Sequence, residues 1–558
     1  MSSSLLQRFK AIVVTKNRAT TAQRNPRNQI EDLPKVQPRR SQVRLELDTH
    51  CFAPIIDRID DDVLTYIFLT ALENEDPANP PMSRAHPAVV VAHVCHRWRE
   101  VALATRALWQ QIHLFIPEYP KGWIDGEHHQ WEAWNTRLLQ QRRMIKTWIS
   151  RSGESPLSVK VSEGGSFSSA NNGGYYVEDA FSELTGLMNT LCRTSFRWKE
   201  LDLGMTFGEF QTRSFPTARF LSLPSQVDPV LATVKLDINW RSESLSPLMI
   251  SNPSILGAAS LRSLVISKGA IPHDLMALPV LWSSLKHLDF HGYPSTSTEV
   301  LNESKTLQVL KACPNLVSCY FAMNDSGSAM ISLTPPITLR FLKEMTLRPY
   351  TWHVTTNFAS SLNLPHLHKL SIQSISGSSC SPRNYEDSGL CEFIERFGST
   401  LRNVGFQHIT LTQDALLRCL SNLPEVVSLT LFDAFWATVF GNCARIDGDF
   451  FRSLTPRLDE SDAPVYSRIP KGYLHCPMME ELALSSTFSG GALEEKALVD
   501  FIEARRTVDL QSRGADGVRT AARLKRVTSG VYWLRTLDVM EELRRRGVDV
   551  DGFSFKCQ

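Results

Sequence analysis

The stretches LRSLVI (residues 261–266) and LKHLDF (residues 285–290) share one spacing, apolar-x-x-apolar-x-apolar. The same spacing begins at Trp198, Leu231, Leu316, Leu342, Leu367, Leu401, Val426 and Met479. The first eight steps along this series run from 24 to 34 residues. One short strand cannot bury its own apolar side, so a unit of this length folds only by stacking on its neighbours. Between the predicted strands lie helical patterns, CEFIERFG (391–398) and QDALLRCLSNL (413–423). The spacing therefore predicts an α/β class, with one strand per unit and helices between many of them. A longer interruption, 433–477, contains the short helical stretch DFFRSL (449–454) and a polar loop. EEKALVDFIEARR (494–506) and LDVMEELRRRG (537–547) predict helices that close the open end of the array.

Upstream of the series the pattern changes. Ile59, Val63, Leu64, Ile67, Phe68 and Leu72 share one face of a predicted helix over 59–73. Asp60, Asp61 and Asp62 stand in its first turn, where the helix dipole favours negative charge. Pro77, Pro80 and Pro81 end it. A second helix is expected over 88–104, with Pro87 near its first turn and Val90, Val91, Val94, Trp98, Val101 and Ala102 on its buried side. Leu108, Trp109, Ile112 and Leu114 follow a short turn. A third helix is expected over 127–150, ended by Ser152 and Gly153, then a strand over 156–161 and a glycine- and serine-rich loop over 162–174.

The organisation read from these patterns is a basic tail (1–50), a helical domain (51–115), a linker helix (116–155) and a repeat array (156–558). The tail reads as solvated and disordered; its acid-poor start, with the weakly amphipathic LLQRFKAIVV, is also a feature of mitochondrial presequences.

The helical domain resembles an F-box of the kind found in large fungal families. The family's first-helix motif is matched by Ile59, Asp60, Asp62, Val63, Leu64, Ile67 and Phe68. Its second motif, Val-Cys-x-x-Trp-Arg, stands as Val94, Cys95, Trp98 and Arg99, and its closing Leu-Trp as Leu108 and Trp109. Asp60 occupies the position where the family usually has proline. The repeat series resembles an irregular leucine-rich-repeat solenoid, or horseshoe, in which the usual asparagine after the strand is mostly missing. These resemblances imply a substrate-recognition subunit of a cullin-RING (SCF-type) ubiquitin ligase. They imply a Skp-type adaptor as one partner, docked by Ile59, Val63, Leu64, Ile67, Phe68, Val94, Cys95 and Trp98 through an apolar helix face. The alternative, favoured by Asp60, is a leucine-rich-repeat scaffold with no ligase role.

In each repeat strand, residues that alternate with the apolar ones face away from the core and are available to a target protein. Asp289, His291, Tyr320, Arg348 and Gln373 are the candidates there, with Lys235, Asp237, His287, Lys369 and Gln407 beside them. Tyr320 is the type of anchor that interfaces use.

Other functions are disfavoured by composition. The net charge is +2, too small for a nucleic-acid or membrane field. Eleven cysteines are scattered without a CxxC pair, which points to reduced thiols in the cytoplasm or nucleus. No apolar run approaches the ~20 residues of a membrane span, and no secretory signal is expected. His93, Cys95 and His96 have metal-ligand chemistry, and the two histidines would share a helix face. They lack a second cluster at zinc spacing, so no metal is expected and Cys95 reads as a small apolar helix residue. Nucleophile-elbow, phosphate-loop and zinc-protease motifs are absent, so neither an enzyme nor a cofactor is expected.

Overall fold

The computed structural model describes residues 59–73, 82–118, 128–164, 182–207, 220, 223, 230–240, 254–267, 275–291, 301–323, 335–349, 356–373, 389–407, 411–432, 444–455, 474–485, 495–507, 522–529 and 538–557. The basic tail, most of the glycine-rich loop and the polar loop after Thr455 lie outside these residues. The described residues form two compact units, divided between Lys199 and Glu200.

The first unit starts with three helices: α1 (Asp61–Glu73), α2 (Pro87–Ala92) and α3 (His96–Ala104). A 3-10 turn at Arg106–Trp109 leads into strand β1 (Gln111–Ile116). The long helix α4 (His128–Ser152) then returns the chain to β2 (Leu157–Glu163), which pairs parallel with β1 from Gln111↔Ser158 to Ile116↔Glu163. Helix α5 (Ser182–Cys192) follows. Trp134, Leu138, Ile145 and Trp148 line the buried side of α4 at helical spacing. Trp148 meets the fully buried Trp109 edge to face at 4.8 Å, and Arg151 lies over the Trp109 ring. Gly153 ends α4 at φ +56°, where a Cβ would approach Arg106 Nε to 3.0 Å.

The helix expected over 88–104 is broken in two. His93 and Val94 form a turn, and Cys95 is extended at φ −152° and ψ 175°. The Cys95 thiol accepts from the Trp98 N–H at 3.5 Å and so caps α3. Arg99 Nε donates to the Ala92 carbonyl at 2.9 Å, satisfying an acceptor at the end of α2. Periodicity alone is the same for a continuous and a broken helix here; these two side-chain bonds decide it. Cys95 is therefore an exposed cap and not an apolar helix residue, and His93 and His96 stand on opposite sides of a break.

The second unit carries a parallel sheet in sequence order. Its strands are β3 (Trp198–Phe207, within this unit from Glu200), β4 (Thr233–Trp240), β5 (Ser263–Ser267), β6 (His287–His291), β7 (Ser318–Met323), β9 (Glu344–Pro349) and β11 (Lys369–Ile372). The ladder continues through β12 (Asn403–Gln407), β13 (Ser428–Phe432), β14 (Glu481–Ser485), β15 (Arg526–Ser529) and β16 (Ser554–Cys557). Between them, β8 (Ile337–Thr338) and β10 (Leu362–Asn363) pair separately.

Register explains why the spacing recurs. Val234, Leu264, Leu288, Cys319, Met345, Leu370, Val404, Leu429 and Leu482 are aligned across neighbouring strands and all are buried. A slip of one residue would turn that whole row outward. The intervening helices are α6 (Glu303–Ala312), α7 (Thr356–Ser360), α8 (Gly389–Phe397), α9 (Gln413–Ser421), α10 (Gly448–Leu454), α11 (Glu495–Thr507) and α12 (Val539–Arg545). Asn302, Thr412, Asp447 and Asp538 cap four of them through side-chain oxygens.

The mixed α/β class expected from the sequence is the one the structure has. Its C-terminal end differs from expectation. Helices α11 and α12 form as predicted, but each is followed by another sheet strand, β15 and β16. The apolar spacing fades there because Ser529 and Cys557 occupy positions held elsewhere by leucine, isoleucine or phenylalanine.

Candidate functional site

Two surfaces collect the residues singled out by sequence. In the first unit, Leu64, Phe68 and Trp98 are the hairpin's own core, each 3% exposed or less. Val63 and Cys95 are exposed, Ile59, Ile67 and Val94 partly so. Val63 and Ile67 are spaced four apart along α1 and share a face, and Ile59 lies two residues before its start. Tyr66, 66% exposed, adds to that apolar stripe and was not anticipated. Its position three residues after Val63 was the available signal. The start of α1 is tied to α3 by Arg97, whose guanidinium pairs with Asp61 at 2.7 Å and donates to the Ile59 carbonyl. Thr65 and Thr105 hydroxyls meet at 3.3 Å. The stripe thus sits on a braced scaffold.

Behind it, His86 is fully buried and caps α2, its Nδ1 accepting from the Ala88 N–H at 3.2 Å. Burial lowers its pKa to about 4, so the ring is neutral near pH 7.

In the second unit, four of the five target-binding candidates form one cluster on β6, β7 and β9. Asp289 is directly opposite Tyr320 in the ladder. The His291 ring stacks on Tyr320, centroids 3.8 Å apart and inclined by 36°. Arg348 Nη1 donates to the Tyr320 hydroxyl at 3.0 Å. Burial raises the Asp289 pKa, opposed by the charges of His291, His287 and Lys235. Burial lowers that of His291, with Asp289 opposing and Arg348 reinforcing the shift. All four side chains are half-buried, and Arg348 Nε is a buried donor with no acceptor among the described residues. A donor in that state is stabilised by any partner that brings a carbonyl or carboxylate oxygen.

Gln373 stands apart on the β11 edge of this group, its amide turned to the Ser371 hydroxyl at 3.3 Å. Gln407, expected to face out, is only 8% exposed. Beside it, a Cβ on Gly405 would meet Phe432 at 3.0 Å, so the Phe432 ring lies across the small residue on this row. His287 bonds the Ser318 hydroxyl at 2.8 Å and Lys369 pairs with Glu344 at 3.0 Å, both at the exposed start of their strands.

Among the described residues, no group of three or more His, Cys, Asp or Glu side chains is arranged to hold a metal ion. None of the described helices is long and apolar enough to cross a membrane. Compared with family models and with curated proteins, the chain matches none. Its functional reading therefore rests on its own residues.

Proposed function

We propose that the chain is a substrate receptor of a cullin-RING (SCF-type) ubiquitin ligase. In this reading the first unit is an F-box that docks a Skp-type adaptor. The second is an irregular leucine-rich-repeat solenoid that holds a target protein against its open sheet face. The chain itself is not an enzyme. It raises the local concentration of target lysines at a catalyst supplied by the assembly, which acts in the cytoplasm or nucleus.

The observation that carries the reading is the row Val63, Tyr66 and Ile67 on α1, continued by Ile59 just before the helix, with Val63 and Tyr66 exposed, while Leu64 and Phe68 on the inner side are buried and Phe68 packs on Trp98. Apolar side chains in a row on a braced helix are the surface that helix-in-groove docking uses. The docking set then narrows to Ile59, Val63, Ile67, Val94 and Cys95, joined by Tyr66. Leu64, Phe68 and Trp98 support it from within.

The scaffold reading, without a ligase role, is favoured by the burial of those three residues and by Asp60 at the head of α1. Co-purification of the full-length chain with a Skp-type adaptor separates the two. The receptor reading expects recovery of the adaptor, reduced more than about tenfold by Val63→Asp, the scale of losing one interface anchor. No adaptor with the native chain or with Asp60→Pro leaves the scaffold.

A further inference from the structure

Two thiols face each other behind the sheet of the second unit. Cys391 lies in α8 and Cys419 in α9, and the Cys419 thiol donates to the Cys391 sulfur at 3.4 Å. The helices lead into adjacent strands, β12 and β13, whose register is fixed by the pair Val404↔Leu429. Two more contacts hold the helices at this spacing. Arg418 Nε pairs with Glu395 Oε1 at 3.1 Å. At the C-terminal ends, Gly398 lies so close to Asn422 that an added Cβ would come to 2.1 Å from its carbonyl oxygen. The sulfur separation is therefore set by the framework around it.

The two sulfurs are not equivalent. Cys391 accepts from the Cys419 thiol, and its sulfur beside the Arg418 guanidinium is the first cause of a raised Arg418 pKa. Cys419 is held protonated by its hydrogen bond to Cys391 and then by burial. Cys391 is 7% exposed and Cys419 1%, so a small oxidant reaches Cys391 first.

We propose that Cys391 and Cys419 are a peroxide-oxidisable pair that closes to a disulfide between α8 and α9. The Cys391 thiolate, favoured by the neighbouring cation, attacks one oxygen of hydrogen peroxide. The O–O bond breaks, Cys391 becomes a sulfenic acid, and the departing hydroxide leaves as water after taking a proton. The Cys419 sulfur then attacks the Cys391 sulfur, forming the S–S bond and expelling the second oxygen as water with the Cys419 proton. Two thiols are oxidised by two electrons, one peroxide is reduced, and two waters form. Closing to the bond length of about 2.05 Å asks each sulfur to move by less than about 1 Å. The product ties two helices whose following strands carry Gly405 and Phe432, and it does not depend on adaptor docking.

The test is peptide mapping of the full-length folded chain after hydrogen peroxide, with free thiols alkylated under denaturing conditions and no reductant. The exposed thiols Cys95 and Cys557 serve as internal references for peroxide dose. The expected result is one peptide pair joined through Cys391 and Cys419, lighter by two hydrogen atoms and released by a phosphine. Arg418→Met slows its formation about tenfold. The proposal is overturned if Cys391 and Cys419 remain separately alkylated at doses that consume Cys95 and Cys557. It is equally overturned if the same link forms as fast in urea-unfolded chain, or if Arg418→Met leaves the rate unchanged.

Discussion

The rings of Phe68 and Trp98 lie 5.1 Å apart, inclined by 59°, with Phe68 fully buried and Trp98 3% exposed. Two residues that the sequence marks as motif positions thus contact each other, one from α1 and one from α3. A tilted aromatic pair of this kind adds about 0.5–1.5 kcal/mol beyond the area it buries.

Separating support from docking follows from that pair. Phe68→Ala is expected to lower the stability of the first unit by about 3–5 kcal/mol, through a cavity that the braced hairpin cannot collapse. Val63→Asp, on the exposed stripe, is expected to change stability by less than about 0.5 kcal/mol. Urea unfolding of both variants checks this. Equal losses would show that the stripe is structural.

The buried His86 makes the first unit sensitive to acid. Its folded pKa, about 4, lies below the ordinary histidine value of 6.5, so between these values the unfolded chain binds more protons. Stability is complete above about pH 6.5 and is lost as pH falls from there to about 4. The loss at the low end is on the order of 3 kcal/mol. Unfolding midpoints measured from pH 7.5 to 4 should flatten in His86→Gln, which keeps a polar side chain at the cap of α2 but cannot titrate.

The C-terminal end of the second unit turns on Arg505. Its side chain is 0% exposed and donates to four carbonyls: Leu454 at 2.8 Å, Pro477 at 3.1 Å, His475 at 3.0 Å and Cys476 at 3.1 Å. Burial lowers its pKa to about 10, still well above neutrality. Arg505→Met keeps the volume and removes every donor, leaving these acceptors unpaired. The expected cost is about 3–5 kcal/mol, read as a lower denaturation midpoint. Arg505→Lys should recover only part of it, because an ammonium lacks the planar fork.

Arg348 and Tyr320 test the target surface. Tyr320→Ala removes the ring under His291 and the acceptor of Arg348. Both Tyr320→Ala and Arg348→Ala are expected to reduce capture of bound proteins more than tenfold, the behaviour of interface anchors. Proximity labelling with mass spectrometry reads this, and Lys369→Ala, on an exposed ion pair at 3.0 Å, should leave capture unchanged.

The repeat spacing from Trp198 to Met479 was legible because each unit places the same two apolar positions in register with its neighbours. Strands β15 and β16 were not legible, because pairing with an existing edge tolerates Ser529 and Cys557 where an isolated unit would need larger apolar groups. The break at His93–Cys95 was hidden for a similar reason: helical periodicity passes through it unchanged. The clustering of Asp289, His291, Tyr320 and Arg348 was visible only as four separate outward positions.

By itself, the sequence determined the period-two alternation in the strands and the helical faces of α1 and α4. These depend on neighbours a few residues away, and local geometry is enough to specify them. Only the tertiary structure decided which apolar residues of the first unit are core and which remain exposed, that Gln407 is covered, and that Cys391 meets Cys419. Those outcomes depend on contacts between residues far apart in the chain, and local pattern does not encode which of two apolar faces finds a partner.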